Sequence, residues 1–109
     1  MLYHEINSAD DEFIWKEIIK LENVTFITSR GLEYTYQIKR NKNNERLNEI
    51  IISRKEKTIT RATILLAYQN AVEIMNTEGF VKGPKKLNVF GASYIYPVFI
   101  RLGLIKTKK

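Results

Sequence analysis

The sequence predicts an α+β fold: a small three-stranded antiparallel sheet packed against three helices, in the order α-β-β-β-α-α. Apolar residues recur at helical spacing near the start and through the second half of the chain, while the stretch between them alternates with a period of two. Strands grouped together, rather than interleaved with helices, indicate α+β and not α/β. The 109 residues, 44% of them hydrophobic, suffice for one core and are too few for two, so 1–109 is expected to be a single domain.

Ile14, Ile18 and Leu21 share a helical face, flanked by Phe13, Trp15 and Ile19, which predicts a first helix from about Ala9 to Leu21. Ser8 with Asp11 approximates a capping box, and the acids of the first turn complement the helix dipole. Asn23 breaks the helix, and the β-branched and aromatic run Val24–Thr28 predicts a strand. Gly31 supplies a turn. From Leu32 to Lys39, Leu32, Tyr34, Tyr36 and Ile38 alternate with polar residues as in a half-buried strand. The polar run Asn41–Asn44 is a turn and Leu47–Ser53 a third strand, so Leu32–Ser53 is expected to form an antiparallel hairpin.

Lys55–Thr58 reads as a polar connection, after which Thr60 caps a second helix running to about Thr77. Ala62, Leu65, Leu66, Tyr68, Ala71, Val72 and Met75 form its apolar side, and Gly79 stops it. Phe80–Gly91 is expected to be a loop. Ile95, Val98, Phe99 and Leu102 line a short third helix ended by Gly103; Pro97 requires it to begin close to Ser93 or Tyr94. The aromatics Tyr34, Tyr36, Phe90, Tyr94 and Tyr96 read as core or core edge, with Tyr94 and Tyr96 the more exposed pair because that apolar face is already filled. Residues 106–109 are expected to be a frayed basic tail.

The net charge of +6 is uneven: residues 1–22 carry six acids against two bases, leaving 23–109 at +10. Such a field favours anionic partners, nucleic acid or an acidic protein surface. Abundant isoleucine, lysine and asparagine also match the codon usage of an AT-rich genome, which accounts for part of the lysine excess. Without cysteine there is no disulfide or thiolate chemistry, which points to a reducing compartment. No apolar run approaches the roughly 20 residues that span a bilayer, and the start of the chain lacks a secretory pattern, so cytoplasmic residence is expected.

No catalytic constellation is visible. The one histidine, His4, stands near the terminus, no glycine-rich phosphate loop occurs, and adjacent acids such as Asp10, Asp11 and Glu12 point in different directions around a helix, so no metal or cofactor is expected. Glu33 and Glu49 could face each other across the hairpin, but read better as solvent-face residues.

What remains is three groups of cations in predicted turns: Lys39, Arg40, Lys42 and Arg46; then Arg54, Lys55, Lys57 and Arg61; then Lys82, Lys85 and Lys86 beside Gly83-Pro84. Solvated loops carry charge for solubility, but loops on a rigid scaffold are also where binding groups sit. The second group opposes the dipole of the second helix, and an anion docked at that N-terminus would relieve the field. Exposed aromatics among Tyr34, Tyr36, Phe90, Tyr94 and Tyr96 could stack on bases, although the shared strand face of Tyr34 and Tyr36 indicates core.

The stretches SRGLEYTYQI, EIIISRKEKTITRATILLAYQNAVEI and KGPKKLNVFGASYIYPVFIRLGLI together resemble a small uncharacterised domain found alone or appended to bacterial and phage restriction or defence-type proteins. Gly83-Pro84 and Gly91-Ala92-Ser93-Tyr94 are its most distinctive residues here; Lys85, Lys86 and Pro97 depart from the pattern. The resemblance implies an auxiliary role near nucleic acid and nothing catalytic. The expected function is a non-enzymatic basic module contacting nucleic-acid phosphates through these cations, with Ser93 or Tyr94 positioning a backbone or base. The alternative is a protein-interaction module in which an exposed sheet edge or an aromatic helix face docks another chain, in its simplest form a homodimer that buries Tyr94 and Tyr96.

Overall fold

The computed structural model describes residues 8–107 and has the predicted α+β class, with three α-helices and antiparallel strands in two ladders. Helix α1, Ser8–Lys20, buries Ile14, Trp15 and Ile18, the i, i+1, i+4 stripe of its sequence, and leaves Phe13 in water. The cap expected from the Ser8 side chain lies outside the described residues, as does His4. Past the helix, Asn23 adopts a left-handed conformation (φ 69°) and turns the chain so that its N–H meets the carbonyl of Tyr36 at 2.9 Å.

Strand β1, Phe26–Ile27, pairs with β2, Glu33–Tyr34. Between them the Thr28 hydroxyl accepts the N–H of Leu32, and Gly31 takes φ +85°, as the expected turn requires. Strand β3, Tyr36–Arg40, continues from β2 and pairs with β4, Arg46–Ile52, in the expected hairpin, with Tyr36 opposite Ile52 and Ile38 opposite Ile50. The hairpin turn is organised by Asn41, whose side-chain oxygen accepts the N–H groups of Asn43 and Glu45. Strand β5, Thr58–Thr60, pairs with β4 on the other side.

The sheet therefore differs from expectation in membership. The strand expected over Leu32–Lys39 divides at Thr35, so the three-stranded ladder is β3-β4-β5 and the Phe26–Ile27 strand joins only β2. The cause is Ser53: its hydroxyl accepts the N–H of Thr35 and its own N–H donates to the Thr35 carbonyl, tying that residue to the end of β4 while β2 diverges. The alternation itself survives, with Tyr34, Tyr36 and Ile38 buried, but Leu32 lies beyond it and is exposed. Glu33 belongs to the small ladder and does not face Glu49.

Helix α2, Arg61–Glu78, starts and stops as its sequence indicates: the Thr60 hydroxyl accepts the N–H of Thr63, and Gly79 closes it at φ +85°. Its buried stripe is Ile64, Ala67, Ala71, Val72 and Met75; Ala62 and Leu66 point away from the core, correcting the expected face.

The expected loop Phe80–Gly91 holds a short 3-10 helix, Pro84–Leu87, whose Leu87 is fully buried and whose Leu87 carbonyl accepts the Asn70 amide at 2.7 Å. Val81 bridges to Thr107, and its N–H donates to the Lys106 carbonyl at 2.7 Å. The tail is thus tied down through Thr107 rather than frayed from Lys106, while 108–109 lie outside the described residues.

Helix α3, Ala92–Arg101, begins one residue before the expected start, and Gly103 follows its end. Pro97 falls inside the helix, where it has no N–H for the Ser93 carbonyl; burial of Tyr94, Ile95, Tyr96, Val98 and Phe99 on nearly every side outweighs that loss. Tyr94 and Tyr96 lie in the core at 8% exposure each, and Phe90 rather than this pair is the exposed aromatic of this part of the chain, at 61%. Each tyrosine is covered by a segment distant in sequence: the Tyr34 ring packs edge-on against Tyr94 at 5.1 Å, and the Tyr96 hydroxyl donates to the Val81 carbonyl. Among the described residues, no helix is long and apolar enough to cross a membrane.

Candidate functional site

A cleft of about 700 Å³ opens where the β1–β2 turn, the β4–β5 turn, the 3-10 segment and the start of α3 meet. Its cations come from three separate stretches of chain: Arg30 from the first turn, Lys55 from the second, and Lys82, Lys85 and Lys86 around Gly83-Pro84. Among the described residues, no carboxylate lines it. Leu32, Pro84 and Tyr94 supply apolar surface, and the hydroxyls of Thr28, Ser29 and Ser93 are the neutral polar groups. Five positive side chains around one concavity raise its potential and so concentrate anions there.

Local structure explains each placement. The β1–β2 turn projects Arg30 beside Gly31, in a bend closed by Gly31 N–H to Thr28 carbonyl at 2.9 Å. In the β4–β5 turn, Lys55 and Glu56 are both left-handed, at φ 59° and 49°, a conformation that costs a residue with a Cβ about 1–2 kcal/mol. Strain of this kind concentrates where the position of a side chain matters. Pro84 opens the 3-10 helix, and its single turn presents Lys85 and Lys86 to water while Leu87 anchors it in the core. The Tyr34 hydroxyl donates to the carbonyl of Tyr94 at 2.6 Å, which holds the floor of the cleft against the sheet. Burial pushes the Tyr34 phenol well above its usual value, so it remains a neutral donor.

The three expected groups of cations assemble only in part. Lys55, Lys82, Lys85 and Lys86 meet in the cleft with Ser93 and Tyr94; Lys57 lies beside it, its ammonium 5.9 Å from the centre of the Tyr94 ring and 5.2 Å from that of Phe90. Arg54 is exposed in the same turn as Lys55 but does not line the cleft. The hairpin group stays apart: Lys39 pairs with Glu49 at 3.6 Å, Arg40 with Glu22 at 3.0 Å, and Lys42 and Arg46 are exposed about the turn. Arg61 pairs with Glu12 at 3.2 Å and lies over the Trp15 ring, bracing α2 against α1.

The phosphate site expected at the start of α2 is not formed. Strand β5 separates Arg54, Lys55 and Lys57 from that helix, leaving Arg61 alone in its first turn, where Thr60 already caps it. Arg30 was not among the expected site residues, although its setting, a cation beside a turn glycine, is the same signal that marked Lys82 and Lys85. Among the described residues, no three metal-ligating side chains gather.

A second depression, of about 520 Å³, adjoins the cleft and shares Pro84, Lys85 and Ser93 with it. Asn88, Val89, Phe90 and Ala92 complete it. No protein family, curated protein or solved structure matches this chain.

Proposed function

We propose that the chain is a non-enzymatic binding module whose cleft takes up the phosphates of a nucleic acid. The observation that carries this reading is the convergence of Arg30, Lys55, Lys82, Lys85 and Lys86 on one concave surface that no carboxylate among the described residues lines. Elsewhere the cations Arg40 and Arg61 are held by carboxylates in structural pairs, whereas among the described residues no such partner lines the cleft. Ammonium and guanidinium groups of this kind contact phosphate oxygens without reading sequence, so the affinity expected is weakly sequence-dependent. An auxiliary role beside a restriction or defence activity accords with this reading.

The test is a binding titration against salt. Each phosphate contact contributes about 0.7–0.9 to the slope of log affinity against log salt. The double variant Lys85→Ala/Lys86→Ala is expected to weaken binding and reduce that slope by about 1.4–1.8, while Lys42→Ala in the hairpin turn leaves both unchanged. Absence of binding at low salt, or equal effects of the two variants, removes the reading.

A further inference from the structure

We infer that the nucleic acid is single-stranded, with an unpaired base stacked on Phe90 and the neighbouring phosphates in the cleft; this rests on the cleft reading above. Phe90 is 61% exposed, the highest value among the large apolar side chains described. Its neighbours in the chain are conformationally restricted. The next residue, Gly91, is left-handed at φ +76° and lies so close to Ile59 that a Cβ there would stand 2.4 Å from the Ile59 Cδ1 atom. The preceding Val89 packs against the core, and Asn88 is left-handed at φ 53°. Phe90 thus stands between restricted neighbours with its ring at the surface.

Its surroundings suit a base. The Lys57 ammonium that lies over Phe90 also reaches the Tyr94 ring in the cleft, so a single cation links the two places. The depression beside Phe90 continues into the cleft through Pro84, Lys85 and Ser93, and offers Val89 and Ala92 as apolar walls with the Asn88 amide for a base edge. A strand running along this path would place phosphates among the lysines and a base against the ring, as in other stacking platforms. In a duplex the base faces are already covered by their neighbours. It could satisfy the cations but would leave Phe90 in water.

The test compares short oligothymidylate and oligouridylate with a short mixed-sequence duplex, by fluorescence anisotropy at low salt. The intact chain is expected to bind a single strand roughly tenfold or more tighter than the duplex, as one base stacked on one ring would provide. Phe90→Leu is expected to weaken single-strand binding by roughly five- to a hundredfold and leave duplex binding unmoved. The two single strands distinguish DNA from RNA, and a preference for either supports the inference. Equal affinity for duplex and single strand, or a single-strand affinity untouched by Phe90→Leu, overturns it; the cleft reading then stands if Lys85→Ala/Lys86→Ala still lowers affinity. If no oligonucleotide binds, both readings fall. Circular dichroism of Phe90→Leu establishes that it is folded, as expected for a change at an exposed position.

Discussion

The carboxylate of Glu22 accepts the backbone N–H of Ile38 at 2.8 Å, so the side chain stands where a further strand would offer a carbonyl to the outer edge of β3. The same oxygen accepts the Arg40 guanidinium at 3.0 Å, and that guanidinium also donates to the Ile38 carbonyl. With the Asn23 N–H on Tyr36, these groups cover the edge and leave it a poor template for pairing with another chain.

Stability is accordingly expected to depend on acid pH through Glu22. The Arg40 hydrogen bond, aided by the Ile38 N–H and opposed by partial burial, holds the Glu22 carboxyl below its ordinary value. Its stabilising contribution is therefore fully present above the unfolded carboxylate pKa of about 4.3 and is lost as pH falls through the lower folded value. Denaturant melts from neutral to acid pH should show a shallower acid limb for Glu22→Gln than for the parent chain. Glu22→Ala, which also leaves the Ile38 N–H unpaired, should cost about 1–3 kcal/mol.

Gly91→Ala should destabilise by about 2–4 kcal/mol, combining left-handed strain with overpacking against Ile59. Ile59→Val removes the atom nearest the added methyl, so the same substitution should cost about 1 kcal/mol less in that background. Thermal melts of the two single variants and the double variant measure the difference; additive effects would show that the Ile59 contact is not the constraint.

Tyr34→Phe removes the buried donor to the Tyr94 carbonyl and should cost about 1–2 kcal/mol. The ring packing between Tyr34 and Tyr94 is retained by phenylalanine, so the loss reports the hydroxyl. Equilibrium unfolding in urea is sufficient to read it.

Glu56→Gly should stabilise the chain by about 0.5–1 kcal/mol, because relief of the left-handed conformation exceeds the added chain entropy. Urea unfolding checks the sign. Lys55 keeps its place in the cleft in this variant, so oligonucleotide affinity should not fall.

Much of the fold was legible because its signals are local. Thr60 and Gly79 bound α2, Asn23 ends α1, and the alternation of Tyr34, Tyr36 and Ile38 marks buried positions; each works within a few residues of itself. Strand β5 was not legible, since Ile59 is its one apolar residue and only pairing with Ile50 makes it a strand. Which aromatics lie deepest was not legible for a related reason: Tyr34, sixty residues away, and Val81 cover Tyr94 and Tyr96.

The sequence by itself determined the α+β class, the ends of the long helix, the hairpin and an excess of positive charge outside the first helix. Only the tertiary structure decided which cations share a surface. Local backbone preferences act through neighbouring residues, whereas an electrostatic field depends on distance in space. The folded chain brings Arg30, Lys55 and Lys82 to one cleft and pairs Arg40 and Arg61 with carboxylates elsewhere.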